Sequence, residues 1–268
     1  MTCGVGAGAR PDYAASMANT KKRLGLKEVM AELKANGSAQ TRKTYRNAGV
    51  SCELFGVSYA FLKKLHKRVK VDHELALALW ETGILEARIF ACWVADAEKT
   101  TVKLLETWAR DESNPLLAGE LAAFAQDTDL AAGRMHKWIG MKSAYRTTLG
   151  WSIAGSLAMQ PKRGPDEGGL DEDDVADLLE RIEHGLQASP NRTRYVMNST
   201  LISIGCRPGW MKKAIAVARK VGKVDVDFGS RSCQVRDATS TIKKTVEHYK
   251  KQGKSPTDGT AGQRRRHC

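Results

Sequence analysis

The sequence predicts an all-α protein, a curved solenoid of stacked helix pairs. Three observations carry that prediction. The stretch Asp72 to Asp96 reads as two apolar helices joined at Gly83, with Asp72 capping the first helix and Gly83 supplying the positive-φ residue that closes it. Comparable pairs, punctuated by caps, prolines and glycines, recur along the 268 residues, and stacked pairs imply a solenoid. The alternation of polar and apolar positions that marks a strand occurs only around 224–235, so a catalytic α/β sheet has no room.

Taken in order, residues 1–22 read as a disordered lead-in. Lys27 to Ala35 forms a short amphipathic helix through Val29, Met30 and Leu33, ended by Asn36 and Gly37. Ser38 precedes a second helix carrying Arg42, Lys43 and Arg46, and Ser58 caps a third through Phe61, Leu62 and Leu65, with Lys63, Lys64, Lys67 and Arg68 on its other face. After the opening pair come helices over 101–112, 115–126, 130–141 and 144–159. Pro115 suits the first turn, where a missing N–H costs nothing. Residues 161–170 form a Pro/Gly linker, and Asp171 to Asp174 place four acids where the next helix dipole favours them. Helices over 191–205 and 208–221 make another pair, and Asp237 caps a last helix, Ala238 to Lys251. The expected count is ten to twelve helices in a domain over 23–252, followed by a basic tail over 253–268.

No apolar run approaches the roughly 18 residues of a membrane span, and the N-terminus lacks the basic start and apolar core of a secretory signal. The expectation is a soluble, intracellular protein: cytoplasmic and nucleoid-associated, or nuclear in a eukaryote. The six cysteines lie far apart with no CxxC pair, and the histidines show no metal-type spacing, so no metal or other cofactor is expected.

Charge is distributed unevenly. Residues 1–70 carry +10, residues 71–188 carry −10 and residues 189–268 carry +13. In a curved stack, two basic ends can converge on one polyanion, and release of condensed counterions makes nucleic acid the natural partner. Solubility charge with a disordered tail is the plainer alternative.

The segments FGVSYAFLKKLHKRV and WETGILEARIFACWVAD resemble the DNA alkylation repair family of HEAT-like-repeat proteins, the AlkD-like glycosylases. A second match, NRTRYVMNSTLISIGCRPGWMKKAIAVARKVGKVDVDFGSRSCQVRDA, is similar to a branch of that family with a VDVDHG-type turn followed by a cysteine. The resemblance implies a HEAT-like-repeat solenoid that cradles double-stranded DNA, alkylated or distorted, as a monomer. Active members excise N3- or N7-alkylated purines, so it also implies an N-alkylpurine glycosylase; the alternative is a non-catalytic scaffold that binds DNA structures or a protein. The family pattern expects a Trp and, four residues on, an Asp; Pro115 and Gly119 occupy those positions, with Glu120 one step beyond as a weak catalytic candidate. A second expected aromatic falls at Asn198 or Ser199.

Six basic residues are candidate phosphate contacts. The resemblance points to Arg146, at a helix start, where a surface arginine is the alternative. Arg88, beside Glu86, belongs either to the inner surface or to an ion pair at the solenoid joint. Arg192 and Arg194, then Lys212 and Lys213, precede or open helices whose free N–H groups favour anions.

Overall fold

The computed structural model describes residues 23–111, 114–160, 169–229 and 233–257. The lead-in over 1–22, most of the linker, Arg231 and the RRRHC tail lie outside the described residues. Within them are thirteen helices and no strand. These are α1 (Leu26–Ala35), α2 (Ala39–Asn47), α3 (Tyr59–Val69), α4 (His73–Glu81), α5 (Leu85–Val94), α6 (Val102–Asp111), α7 (Pro115–Gln126), α8 (Ala131–Ile139), α9 (Ala144–Leu157), α10 (Glu172–Gly185), α11 (Asn191–Cys206), α12 (Met211–Val221) and α13 (Ala238–Lys251).

Local chemistry sets most boundaries. The side chains of Ser38, Ser58, Asp72, Ser143 and Asp237 each accept the backbone N–H three residues on, satisfying a donor that the helix leaves open. Asp171 and Asp174 bond each other's backbone in a capping box, so the acidic run is a helix start. Gly83 has φ +71°, a conformation an L side chain disfavours, and turns the chain from α4 into α5. Several boundaries differ from the sequence expectation, the ninth helix among them, which ends at Leu157 rather than Met159. The twelfth helix begins at Met211 rather than Pro208, because Gly209 at φ +84° interrupts the α conformation. The eighth ends at Ile139 rather than Met141.

The helices form two layers. Helices α3, α5, α7, α9, α11 and α13 pack one on the next in an unbroken row. Helices α4, α6, α8, α10 and α12 lie against that row, and α10 also packs on α12. The row is the more deeply buried of the two layers and is termed the inner layer. Two-sided burial explains the composition of the inner helices: α5, α7, α9 and α11 are apolar or small around most of their circumference. Helices α6, α8, α10 and α12 instead pair one buried stripe with a charged outer face.

The core runs the length of the stack. Trp80 of α4 and Trp108 of α6 lie stacked with ring centroids 4.2 Å apart and planes 5° from parallel, and Phe124 of α7 packs against Trp108 at 5.6 Å. Close approach between the layers depends on Gly150, where an added Cβ would stand 2.7 Å from the backbone nitrogen of Ile139. Between α9 and α11, the buried hydroxyls of Thr148 and Thr193 bond at 2.8 Å, and Thr200 donates to the Trp151 carbonyl at 2.8 Å. These polar contacts fix the register of the two helices.

Candidate functional site

The inner layer has a distinctive charge pattern. From α3 through α11 its helices contain two carboxylates, Glu86 and Glu120, and both are buried. Glu86, fully buried, accepts the backbone N–H groups of Phe55, Gly56 and Val57 at 3.0, 2.6 and 3.0 Å. Glu120 accepts the indole N–H of Trp93 at 2.6 Å. Neither adds negative charge to the solvent-facing side. The same row carries Lys63, Lys64, Lys67 and Arg68 on α3, Arg88 on α5, Arg146 on α9, and Arg192 and Arg194 on α11; α13 adds Lys243, Lys244, Lys250 and Lys251. Of the acids on the helices of the middle segment, ten belong to the other layer, six of them to α10. From α3 through α11 the row thus carries basic residues and no exposed carboxylate, and on α13 the exposed Glu247 pairs with Lys251.

At the centre of that surface, α7, α9 and α11 line a shallow groove of about 230 Å³ with Gly119, Ala123, Gln126, Ser152, Ser156 and Ser199 among its walls. Gly119 faces open space, since an added Cβ would meet nothing within 4 Å. Ser199 is exposed in the same groove, whereas Asn198 is buried and bonds the Arg236 carbonyl at 3.0 Å. The positions at which the sequence resemblance expects a carboxylate and an aromatic ring are thus groove positions, occupied by a hydrogen atom and a hydroxymethyl group. Glu120, one residue on, is turned into the protein and is 4% exposed. Trp108, Trp138 and Trp151 are buried core residues and form no cage.

The basic candidates are not gathered at one point. Arg146 stands in a cluster around Glu106, whose carboxylate receives Arg134 at 2.5 Å, Lys137 at 3.0 Å and Arg146 at 3.8 Å. Burial pushes the Glu106 pKa up, but the bond and charge of Lys137, with bonds from Trp138 and Arg134, more than offset it and hold the group below the usual carboxylate range. One carboxylate ordering three cations leaves the cluster net positive. Arg192 lies over the Tyr195 ring at 5.2 Å beside the groove. Arg194 turns away to the carbonyls of Asp225 and Ser189 at 2.9 and 3.2 Å, tying down the VDVDF segment. Arg88 packs over Trp80 at 5.0 Å and donates to its carbonyl at 3.0 Å, at the α4–α5 joint. Lys212 and Lys213 are exposed at the start of α12, with Lys213 over Trp210 at 4.4 Å.

Trp93 and His66, which by sequence are helix-packing or surface positions, meet Tyr59 in one aromatic cluster. Tyr59 and His66 of α3 lie 5.9 and 6.1 Å from the Trp93 ring, centroid to centroid. Burial, then the Glu120 charge, Tyr45 and a Glu120 hydrogen bond hold the Tyr59 hydroxyl well above the ordinary phenol range. A second concavity of about 690 Å³, between α11, α12 and the segments on either side of residues 230–232, is lined by Arg219, Lys223 and Arg236 as well as Asp225 and Asp237, a mixed lining without one charge preference. No group of three His, Cys, Asp or Glu among the described residues is arranged to hold a metal ion, and no described helix is long and apolar enough to cross a membrane.

Comparison with known proteins places this geometry in context. The sequence model of a family described as "DNA alkylation repair enzyme" matches residues 29–245. An uncharacterised protein of Listeria innocua is 33% identical over 224 residues, covering 81% of this chain and 95% of the relative. An uncharacterised protein of Listeria monocytogenes is 32% identical over 230 residues, covering 83% and 98% respectively. A solved structure superposes with a TM-score of 0.76 at 26% identity, covering 87% of this chain and 97% of the other. It represents a new family of proteins related to the HEAT-like repeat DNA glycosylases, with affinity for branched DNA structures.

Proposed function

The chain belongs to the DNA alkylation repair enzyme family, and from that premise we propose that it binds branched or distorted DNA along its inner layer without excising bases. The observation that carries this reading is the absence of an exposed carboxylate on the inner helices from α3 through α11, combined with basic residues along the row and at both ends. Such a surface accepts phosphates without like-charge repulsion, and association gains from counterion release. The affinity of the structural neighbour for branched DNA supports the choice of DNA shape.

The same groove argues against base excision. Breaking an N-glycosidic bond develops positive charge on the sugar, which a catalyst stabilises with a carboxylate aimed at that position. Gly119 has no side chain to offer, and Glu120 is buried and bonded to Trp93. In this reading Arg146 and Arg192 contact phosphates, Arg88 and Arg194 support the surface from behind, and Lys212 and Lys213, on the outer helix α12, are not part of that surface.

The test is a salt titration of binding to a four-way junction and to a duplex of equal length, beside a glycosylase assay on methylated duplex. Contacts to about six phosphates weaken binding by around 10³-fold between 50 and 200 mM salt. The junction should bind more tightly than the duplex at every salt concentration, with no release of 3-methyladenine or 7-methylguanine in a single turnover. Release that falls in a Glu120→Gln variant would establish an enzyme instead. Salt-independent affinity for a protein, with none for DNA, would establish the scaffold alternative.

A further inference from the structure

We infer that Trp93 is a stacking platform for one unpaired nucleobase of the bound DNA, held at its angle by Glu120. This rests on the DNA-binding reading above and adds to it a contact that phosphate recognition does not need.

Six tryptophans occur in the chain, and Trp80, Trp108, Trp138, Trp151 and Trp210 are all buried. Trp93 is only partly buried. It projects from α5, an inner helix on which nearly every other side chain is fully covered. Its polar atom does not point to solvent: the indole N–H donates to Glu120 on the adjacent inner helix α7 at 2.6 Å. Burying a carboxylate carries a desolvation cost that its donors must offset, and a short charge-assisted bond to a flat ring fixes both the position and the tilt of that ring. Glu120 is therefore a positioning residue, acting through Trp93.

The surroundings suit a base. Tyr59 flanks the indole at an interplanar angle of 48°, and His66 meets it edge-on at 78°. Along α3, Tyr59 is followed at four, seven and eight residues by Lys63, His66 and Lys67, so the helix face bearing the two rings also bears two exposed lysines. Aromatic rings interleaved with lysines are the combination that holds a single strand: the ring stacks on the base while the cations meet its phosphates. A paired base has both faces covered by its neighbours, so the platform has a use only where a branch point or bulge leaves a base free.

The experiment uses the full chain with two DNAs of equal length, a duplex with a three-nucleotide thymine bulge and its fully paired counterpart. The parent should lose part of its tryptophan emission on binding the bulged DNA, and Trp93→Phe, which keeps a ring, should lose that component of the quench. Trp93→Ala should weaken bulged-DNA binding about tenfold, as expected from removing one base–aromatic stack, and change duplex binding less than twofold. Glu120→Leu should also weaken the bulged complex selectively, and Glu120→Gln, whose amide oxygen still accepts the indole N–H, should restore it. Quenching that survives in Trp93→Phe, or equal weakening of both DNAs by Trp93→Ala, would overturn the platform and leave phosphate binding standing. A parent chain that binds neither DNA would overturn both readings.

Discussion

The carboxylate of Glu86 on α5 accepts the backbone N–H of Gly56 at 2.6 Å, thirty residues earlier in the chain. With the N–H groups of Phe55 and Val57 on the same carboxylate, this contact attaches the α2–α3 loop to the inner layer. Removing the carboxylate strands three donors against a fully buried site. Glu86→Ala should therefore cost about 3 kcal/mol and Glu86→Gln about 1 kcal/mol, read as a shift in urea midpoint. An alanine variant as stable as the parent would show that the loop finds other partners.

Arg192 and Arg194 lie two residues apart on α11 but should behave differently. Arg194 bonds two backbone carbonyls, so Arg194→Ala should lower stability by about 2 kcal/mol. Arg192 lies over Tyr195 beside the groove. Arg192→Ala should change stability by less than about 0.5 kcal/mol while reducing the salt slope of DNA binding by roughly one. Thermal melts and binding isotherms on the two variants separate the roles; identical effects would refute the division.

Gly119 offers a direct check on the groove. An added Cβ there meets nothing within 4 Å, so Gly119→Asp should fold normally. It would also introduce a carboxylate on a surface that has none exposed. DNA affinity should fall about threefold to tenfold at low salt, and the deficit should shrink as salt screens the new charge. Unchanged affinity at low salt would mean that the DNA lies elsewhere.

Stability should also fall on the alkaline side. Burial is the main reason that the phenols of Tyr45 and Tyr59 are raised, reinforced for Tyr45 by Glu86 and Glu120 and for Tyr59 by Glu120. An acid whose folded-state pKa is raised binds its proton more tightly in the folded state. Its contribution is complete below the ordinary phenol value near 10 and is lost as the pH rises above that value. Melting temperature should thus drop between about pH 9.5 and 11. The double variant Tyr45→Phe, Tyr59→Phe should show a smaller drop, and an equal one would place the alkaline sensitivity in other groups.

Much of the fold was legible in the chain because helix limits are decided within a few residues. Ser38, Ser58, Asp72 and Asp237 are caps by virtue of side chains that reach the N–H three residues ahead, and each caps the helix expected of it. Pro115 and Gly83 likewise act through their own backbone. The thirteen helices of the described residues exceed the expected ten to twelve, although each corresponds to a segment that the sequence marks as a helix.

The sequence by itself determined the all-α architecture, the helix boundaries and the uneven charge along the chain, all properties of near neighbours. Only the tertiary structure decided that the acids of the middle segment fall mainly outside the inner layer, that Gly119 and Ser199 face the groove while Glu120 turns inward, and that Trp93 stands partly open. Those outcomes depend on partners distant in sequence: Glu86 meets Gly56, Glu120 meets Trp93 and Arg194 meets Asp225. A helix presents every direction to its surroundings, and only its packing neighbours select which residues are covered and which remain for a ligand.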